Sequence, residues 1–229
     1  MSNSGWTEVR IAGRRVCGWL LLSLLLSACS WKAGLELERQ GVRLLEGNEW
    51  QPLFQQQEQL FRAVIDFRAQ HFSGLMAVKK TEMGFRFAFF TELGMTMFDL
   101  EVGPDSFVQH YCFEPLNRKA LLRILEADFR RLSARPQGLR AVLYRQASGH
   151  YWYRLKLAGD RNVWGVSASG RQLLHILHPS LLPDEAEINI SYRDQLPERI
   201  EIVHPKLGLR IGLSRMQVTG HRMQVTGDR

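Results

Sequence analysis

Gly84-Phe85-Arg86-Phe87-Ala88-Phe89-Phe90-Thr91-Glu92-Leu93-Gly94-Met95-Thr96-Met97-Phe98-Asp99-Leu100-Glu101-Val102 is the stretch whose reading decides the fold. Apolar and polar side chains alternate on both sides of Leu93-Gly94, the two-residue period of a β-strand. The period and the central turn signal predict a hairpin of strands Gly84–Thr91 and Met95–Val102. Phe85, Phe87 and Phe89 share one face of the first strand. Phe98, Leu100 and Val102 share a face of the second, with Met97 on the other.

The same pattern continues in both directions. Upstream it predicts strands at Leu60–Gln70 and Gly74–Lys80, and downstream one at Ser106–Phe113 after the Gly103-Pro104-Asp105 turn. Pro115 then opens a helix in which Leu116, Ala120, Leu121, Ile124, Leu125, Phe129 and Leu132 recur at three- and four-residue steps. Arg118, Lys119, Arg123, Glu126, Arg130 and Arg131 fill much of its remaining surface, so it reads as a one-sided helix lying on a sheet. Beyond Pro136 alternation resumes at Arg140–Ala147, Tyr151–Ala158, Asn162–Ala168, Gln172–His178, Ile188–Asp194, Glu198–His204 and Leu207–Gln217. The expected fold class is α+β, mainly antiparallel β: about a dozen strands with one helix over a face. A sheet that wide curls rather than staying flat.

Such a sheet has more inward-facing apolar positions than one helix covers. Phe85, Phe87, Phe89, Phe98, Leu100 and Val102, with Leu121 and Leu125 of the helix, are therefore candidates to line a hydrophobic groove. Mobile Met and aromatic side chains suit either a core or an adaptable acyl-chain pocket. Upstream of Gln57 no period is sustained. Residues 51–59 (QPLFQQQEQ) read as tether or surface, and Arg39 to Glu46 as a short element packed on the domain.

The N-terminus has a different character. Arg10, Arg14 and Arg15 precede the apolar run Val16 to Leu26, which is too short to span a bilayer and fits the core of a signal peptide. It ends in Leu26-Ser27-Ala28-Cys29, which resembles the lipobox of bacterial lipoproteins. That resemblance implies cleavage before Cys29 and its acylation, with membrane lipid as the first partner. Ser30 follows where an Asp would retain the protein at the inner membrane, so the implied location is the periplasmic face of the outer membrane. Anchoring through several acyl chains is firm. Cleavage removes three arginines and one glutamate, lowering the net charge of +7 to +5. Cys112 then has no thiol partner and reads as a small buried strand residue.

The pI of about 9.7 suggests nucleic acid, but the mature basic residues are dispersed and none is expected as a partner. His175 and His178 would point to opposite faces of one strand, so no metal is expected there. Gly165 to Gly170 lacks the second glycine of a nucleophile elbow. No phosphate loop or nucleophile–base pair emerges, so no catalytic residue and no cofactor are expected. The tail repeats Arg215-Met216-Gln217-Val218-Thr219-Gly220 at Arg222 to Gly227, a period too short for a solenoid.

Phe72-Ser73-Gly74-Leu75-Met76-Ala77-Val78-Lys79, then Phe89 to Gly94 and Phe98-Asp99-Leu100, resembles the first half of LolB-type outer-membrane lipoproteins. Leu196 to Ile202, leading to Leu209-Arg210-Ile211, is similar to their closing strands. The surroundings of Asp99, Tyr111 and the Leu116–Leu132 helix also look like uncharacterised lipoproteins of the Bacteroidetes group. The LolA/LolB resemblance implies an unclosed half-barrel with helices over a concave face that binds acyl chains of lipoproteins. It also implies an exposed apolar loop that assists membrane insertion, for which Leu93 and Met95 are the candidates. The expected organisation is a signal peptide (1–28), a tether and N-terminal element (29–57), a β-domain (58–217) and a repeat-containing tail (218–229). The expected role is a non-enzymatic carrier or acceptor of acyl chains or lipoproteins. The alternative is a structural lipoprotein with a filled core and a protein partner.

Overall fold

The computed structural model describes residues 36–182 and 184–216. The signal peptide, Cys29 and the repeat-containing tail lie outside the described residues. Two compact units divide the chain at Leu37/Glu38, and the sheet belongs to the second apart from its first residue.

Among the described residues thirteen strands form one sheet: β1 (Leu37–Leu44), β2 (Glu58–Phe67), β3 (Gln70–Lys80), β4 (Phe85–Thr91), β5 (Thr96–Val102), β6 (Phe107–Cys112), β7 (Arg140–Gln146), β8 (Tyr151–Leu157), β9 (Asp160–Val166), β10 (Leu173–His178), β11 (Ala186–Arg193), β12 (Leu196–His204) and β13 (Leu209–Arg215). Their order is β1-β7-β8-β9-β10-β11-β12-β13-β2-β3-β4-β5-β6. Two antiparallel meanders, β2–β6 and β7–β13, meet where β13 pairs with β2. The sheet is curled and unclosed, with β1 and β6 at its edges. One helix of appreciable length is described, α1 (Lys119–Ser133), after a short 3-10 turn at Glu114–Leu116.

The expected hairpin is present. Phe87 pairs with Leu100 and Phe89 with Phe98, so the apolar faces of β4 and β5 coincide. Ser73-Gly74 has a steric reason: a Cβ on Gly74 would stand 1.9 Å from the Phe90 carbonyl oxygen, so only glycine lets β3 and β4 approach there.

Several boundaries differ from the sequence reading. The strand expected at Leu60–Gln70 ends at Phe67, because Arg68 takes a positive φ of 56° and β3 starts at Gln70. That turn contains neither Gly nor Pro. The helix begins at Lys119 rather than near Pro115, since Arg118 has extended backbone angles. Cys112, expected buried, is half-buried at the end of β6 and carries a free thiol. Arg131, read as helix surface, is buried.

The largest difference concerns residues 29–57. Arg39 to Glu46 overlaps β1, an edge strand, and Leu45 N–H and carbonyl bond to the Leu139 carbonyl and the Gly138 N–H. Trp50, Leu53 and Phe54 then turn into the core instead of lying on a tether. Residues 45–57 form a strap, fixed where the Gln51 N–H donates to the Arg171 carbonyl and the Gln57 carbonyl accepts from Lys80.

Candidate functional site

Helix α1 lies on the core face of the sheet because Leu121, Leu125, Phe129 and Leu132 form its buried stripe. Phe129 stacks on Phe87 at 4.2 Å between ring centroids and meets Phe98 at 6.0 Å. Phe89 and Phe98 are 5.6 Å apart. The strap closes the other side: Phe54 touches Phe61, Phe85 and Phe87, while Trp50 touches Tyr153 and Trp164.

The eight groove candidates are therefore brought together, and what they form is a closed interior. Phe87, Phe89, Phe98, Leu100 and Val102 are at most 1% exposed; Leu121 and Leu125 are buried and Phe85 partly so. Between strap, helix and sheet lies a cavity of only about 10 Å³, bordered by Trp50, Leu53, Phe85, Leu132 and Leu173. The surplus apolar sheet surface is covered by the strap, whose Trp50, Leu53 and Phe54 follow no regular spacing.

Polar groups also lie under the helix. The Asp128 carboxylate accepts from His204 Nε2 at 2.7 Å and from Arg131 Nη1 at 3.0 Å. Arg131 Nε donates to Asn162 Oδ1 at 3.0 Å. These four residues are buried and tie α1 to β9 and β12. An isolated buried charge is costly, and here each is compensated by an opposite charge or a dipole. His and Asp four residues apart or less would be visible in a sequence; Asp128 and His204 are joined only by the fold.

The membrane-loop candidates have the opposite environment. Leu93 sits at the tip of the β4–β5 hairpin and is 96% exposed, and Met95 is exposed beside it. The tip is not loose. The Gly94 N–H donates to the Thr91 carbonyl, the Met95 N–H to Thr91 Oγ1, and Ser73 Oγ to Glu92 Oε1 at 3.2 Å. Gly94 has a φ of 80°, which glycine adopts without strain. Leu181 and Leu182, which no sequence motif singled out, form a second exposed apolar pair between β10 and β11.

On the outer face of the hairpin Arg86 grips Asp99 through Nε and Nη2, and hydrogen bonding to that carboxylate raises the Arg86 pKa. Glu101 is held below the usual carboxylate range by hydrogen bonds from Thr81 and His110. His175 and His178 separate as expected for strand alternation. His175 bonds Asn189 and stacks on Trp152, whereas His178 bonds the Arg161 carbonyl. Cys112 has its pKa raised by burial. Among the described residues no helix is long and apolar enough to cross a membrane. Neither a protein-family model nor a curated protein matches the chain.

Proposed function

We propose that this is a LolA/LolB-like envelope lipoprotein, anchored through Cys29 to the periplasmic face of the outer membrane, that accepts acyl chains or lipoproteins without catalysing a reaction on them. The observation that carries this reading is Leu93, a fully projecting leucine on a hairpin tip pinned by its own hydrogen bonds. An exposed leucine usually contributes nothing to folding, whereas burying its side chain in a lipid surface is favourable by about 1.5–3 kcal/mol. The strands that carry this tip also form the apolar floor beneath α1, so a membrane contact at Leu93 would adjoin the surface intended for cargo. In the closed form, Phe54, Phe129 and their neighbours occupy the place an acyl chain would take. Uptake therefore requires the strap or the helix to move aside.

A second reading is favoured by a different observation. A residual cavity of about 10 Å³ holds no acyl chain, which suits an envelope interaction protein with a permanently filled core. One experiment separates the two. The chain from position 29 onward carrying Cys29→Ala is titrated with a fluorescent fatty acid, and its binding to phospholipid vesicles is measured with and without Leu93→Glu. Saturable fatty-acid binding, with vesicle binding reduced by about tenfold or more in the variant, supports the acceptor reading. No uptake by a folded protein, whatever its vesicle binding, selects the filled-core reading.

A further inference from the structure

The turns of an antiparallel sheet open on two opposite rims, and register assigns each turn to one of them. The β4–β5 tip, the β2–β3 turn between Phe67 and Gln70, the β12–β13 turn between His204 and Leu209, and the β10–β11 loop after His178 all share one rim. The seam joins the two meanders in the same sense, since Leu209 pairs with Phe67. Continuing through β9 and β8, the start of β7 lies at this rim as well. Leu44 ends β1 there, because the next residue, Leu45, bonds to Leu139 just before β7.

Exposed large apolar side chains gather at this rim: Leu44, Leu93, Met95, Leu181 and Leu182. At the opposite rim, among the described residues, only Met83 is of this kind. Leu181 is 98% exposed, as fully projecting as Leu93. Its loop is held by the protein: the Leu182 N–H donates to Ser180 Oγ at 3.1 Å, and Lys206 Nζ donates to the Ser180 carbonyl at 2.6 Å. The carboxylates beside the leucines are turned to cations of the chain, Glu185 to Lys206 at 3.0 Å and Asp184 to His178 at 3.6 Å. Neither carboxylate is left as a lone charge beside the exposed pair.

The spacing of these side chains narrows what covers them. In the sheet order the Leu181–Leu182 loop and the Leu93 tip are six strand spacings apart, about 29 Å on a flat sheet and less on a curled one. Between them lie the polar turns at Arg68 and Lys206. A protein partner buries a contiguous patch of about 800 Å² and would need a separate pocket for each projecting leucine. A bilayer has no such requirement: each apolar side chain enters it independently, while the polar turns between stay among the headgroups. We propose that the Leu181–Leu182 loop is a second point of contact with a phospholipid surface, so that a whole rim of the sheet, and not one hairpin tip, faces the bilayer. The choice of a bilayer rests on the membrane contact read above for Leu93. Two points far apart also fix an orientation, which a single tip leaves free.

The test uses the chain from position 29 onward carrying Cys29→Ala, and vesicles of phosphatidylethanolamine with a minor share of phosphatidylglycerol. Replacing both loop leucines, Leu181→Glu with Leu182→Glu, should weaken vesicle binding about tenfold or more, and adding Leu93→Glu should weaken it again by a similar factor. Met83→Glu, on the opposite rim, should leave binding within about twofold. Loss at the loop but not at Leu93 supports this contact and removes the Leu93 reading. Loss at Leu93 but not at the loop overturns this contact and leaves that reading in place. Absence of vesicle binding, or an equal loss with Met83→Glu, overturns both. Amide hydrogen exchange of the unsubstituted loop and tip keeps the test open if a variant fails to fold: vesicles should slow exchange at Leu181, Leu182 and Met95 and leave Met83 unchanged. Slowing at Met95 without slowing at Leu181 and Leu182 overturns the second contact.

Discussion

Two covers lie on one sheet, and they are built in opposite ways. Helix α1 presents a regular apolar stripe and ties itself down with the buried Asp128–Arg131–His204 network. The strap of residues 45–57 has no helix or strand, and it holds by Trp50, Leu53 and Phe54 together with a few backbone bonds at its ends. The helix satisfies its own backbone and adds polar bonds that depend on geometry. The strap contributes mainly apolar area, which is non-directional. Of the two, the strap loses less specific structure when displaced, and it is the cover expected to open first.

The severest challenge to this contrast is Asp128→Ala. Removing Asp128 takes the buried partner from His204 and leaves Arg131 only Asn162 and, at 3.6 Å, the more exposed Asp160, and should cost about 3–5 kcal/mol in urea unfolding. Phe129→Ala removes the ring stacked on Phe87 and should cost a similar amount, about 3–5 kcal/mol. Leu53→Ala in the strap should cost less, about 2–3 kcal/mol, because an irregular segment collapses more readily around the lost volume. If Leu53→Ala exceeds Phe129→Ala, the strap is the tighter cover and the contrast fails. Amide hydrogen exchange sharpens it further: Gln51 and Lys80 should exchange before the amides of Leu125 and Phe129.

A smaller effect follows from Glu101. Its pKa lies below the ordinary value of 4.5, so the stabilisation is fully present above that pH and is lost as pH falls through the lower, folded value. Glu101→Gln should flatten the acid limb of the stability profile below about pH 4.5 while leaving both covers in place. The smallest effect belongs to the exposed tip. Leu93→Ser should change stability by no more than about 0.5 kcal/mol, so any loss of vesicle binding in such a variant reports on the contact itself.

The same contrast explains what was legible in the sequence. Alternation and Gly-centred turns marked the β4–β5 hairpin and most of the later strands, because each turn needed a residue with a special backbone. The Arg68 turn was invisible, since an ordinary residue adopts its positive φ. The stripe of α1 was legible through its spacing, whereas Arg131 looked like surface because its partners beyond the helix, Asn162 and Asp160, lie on β9. The strap was read as a tether: its glutamines obscured three apolar residues with no period. The groove candidates were correctly grouped on one face. Whether that face is open or filled depends on the strap, so the local pattern could not decide it.

Strand pairing also governs when the molecule can be finished. Residues Phe61–Phe67 and Leu209–Arg215, about 150 positions apart, form the seam between the two meanders. Each meander can assemble from neighbouring hairpins as the chain emerges, but the seam waits for almost the last described residue. Closure of so long a loop is entropically expensive and slow. Until β13 arrives, β2 has an unpaired edge and the apolar floor on both sides of it is without its central strand. An interval in which a half-made sheet must be kept from other chains is thus written into the strand order.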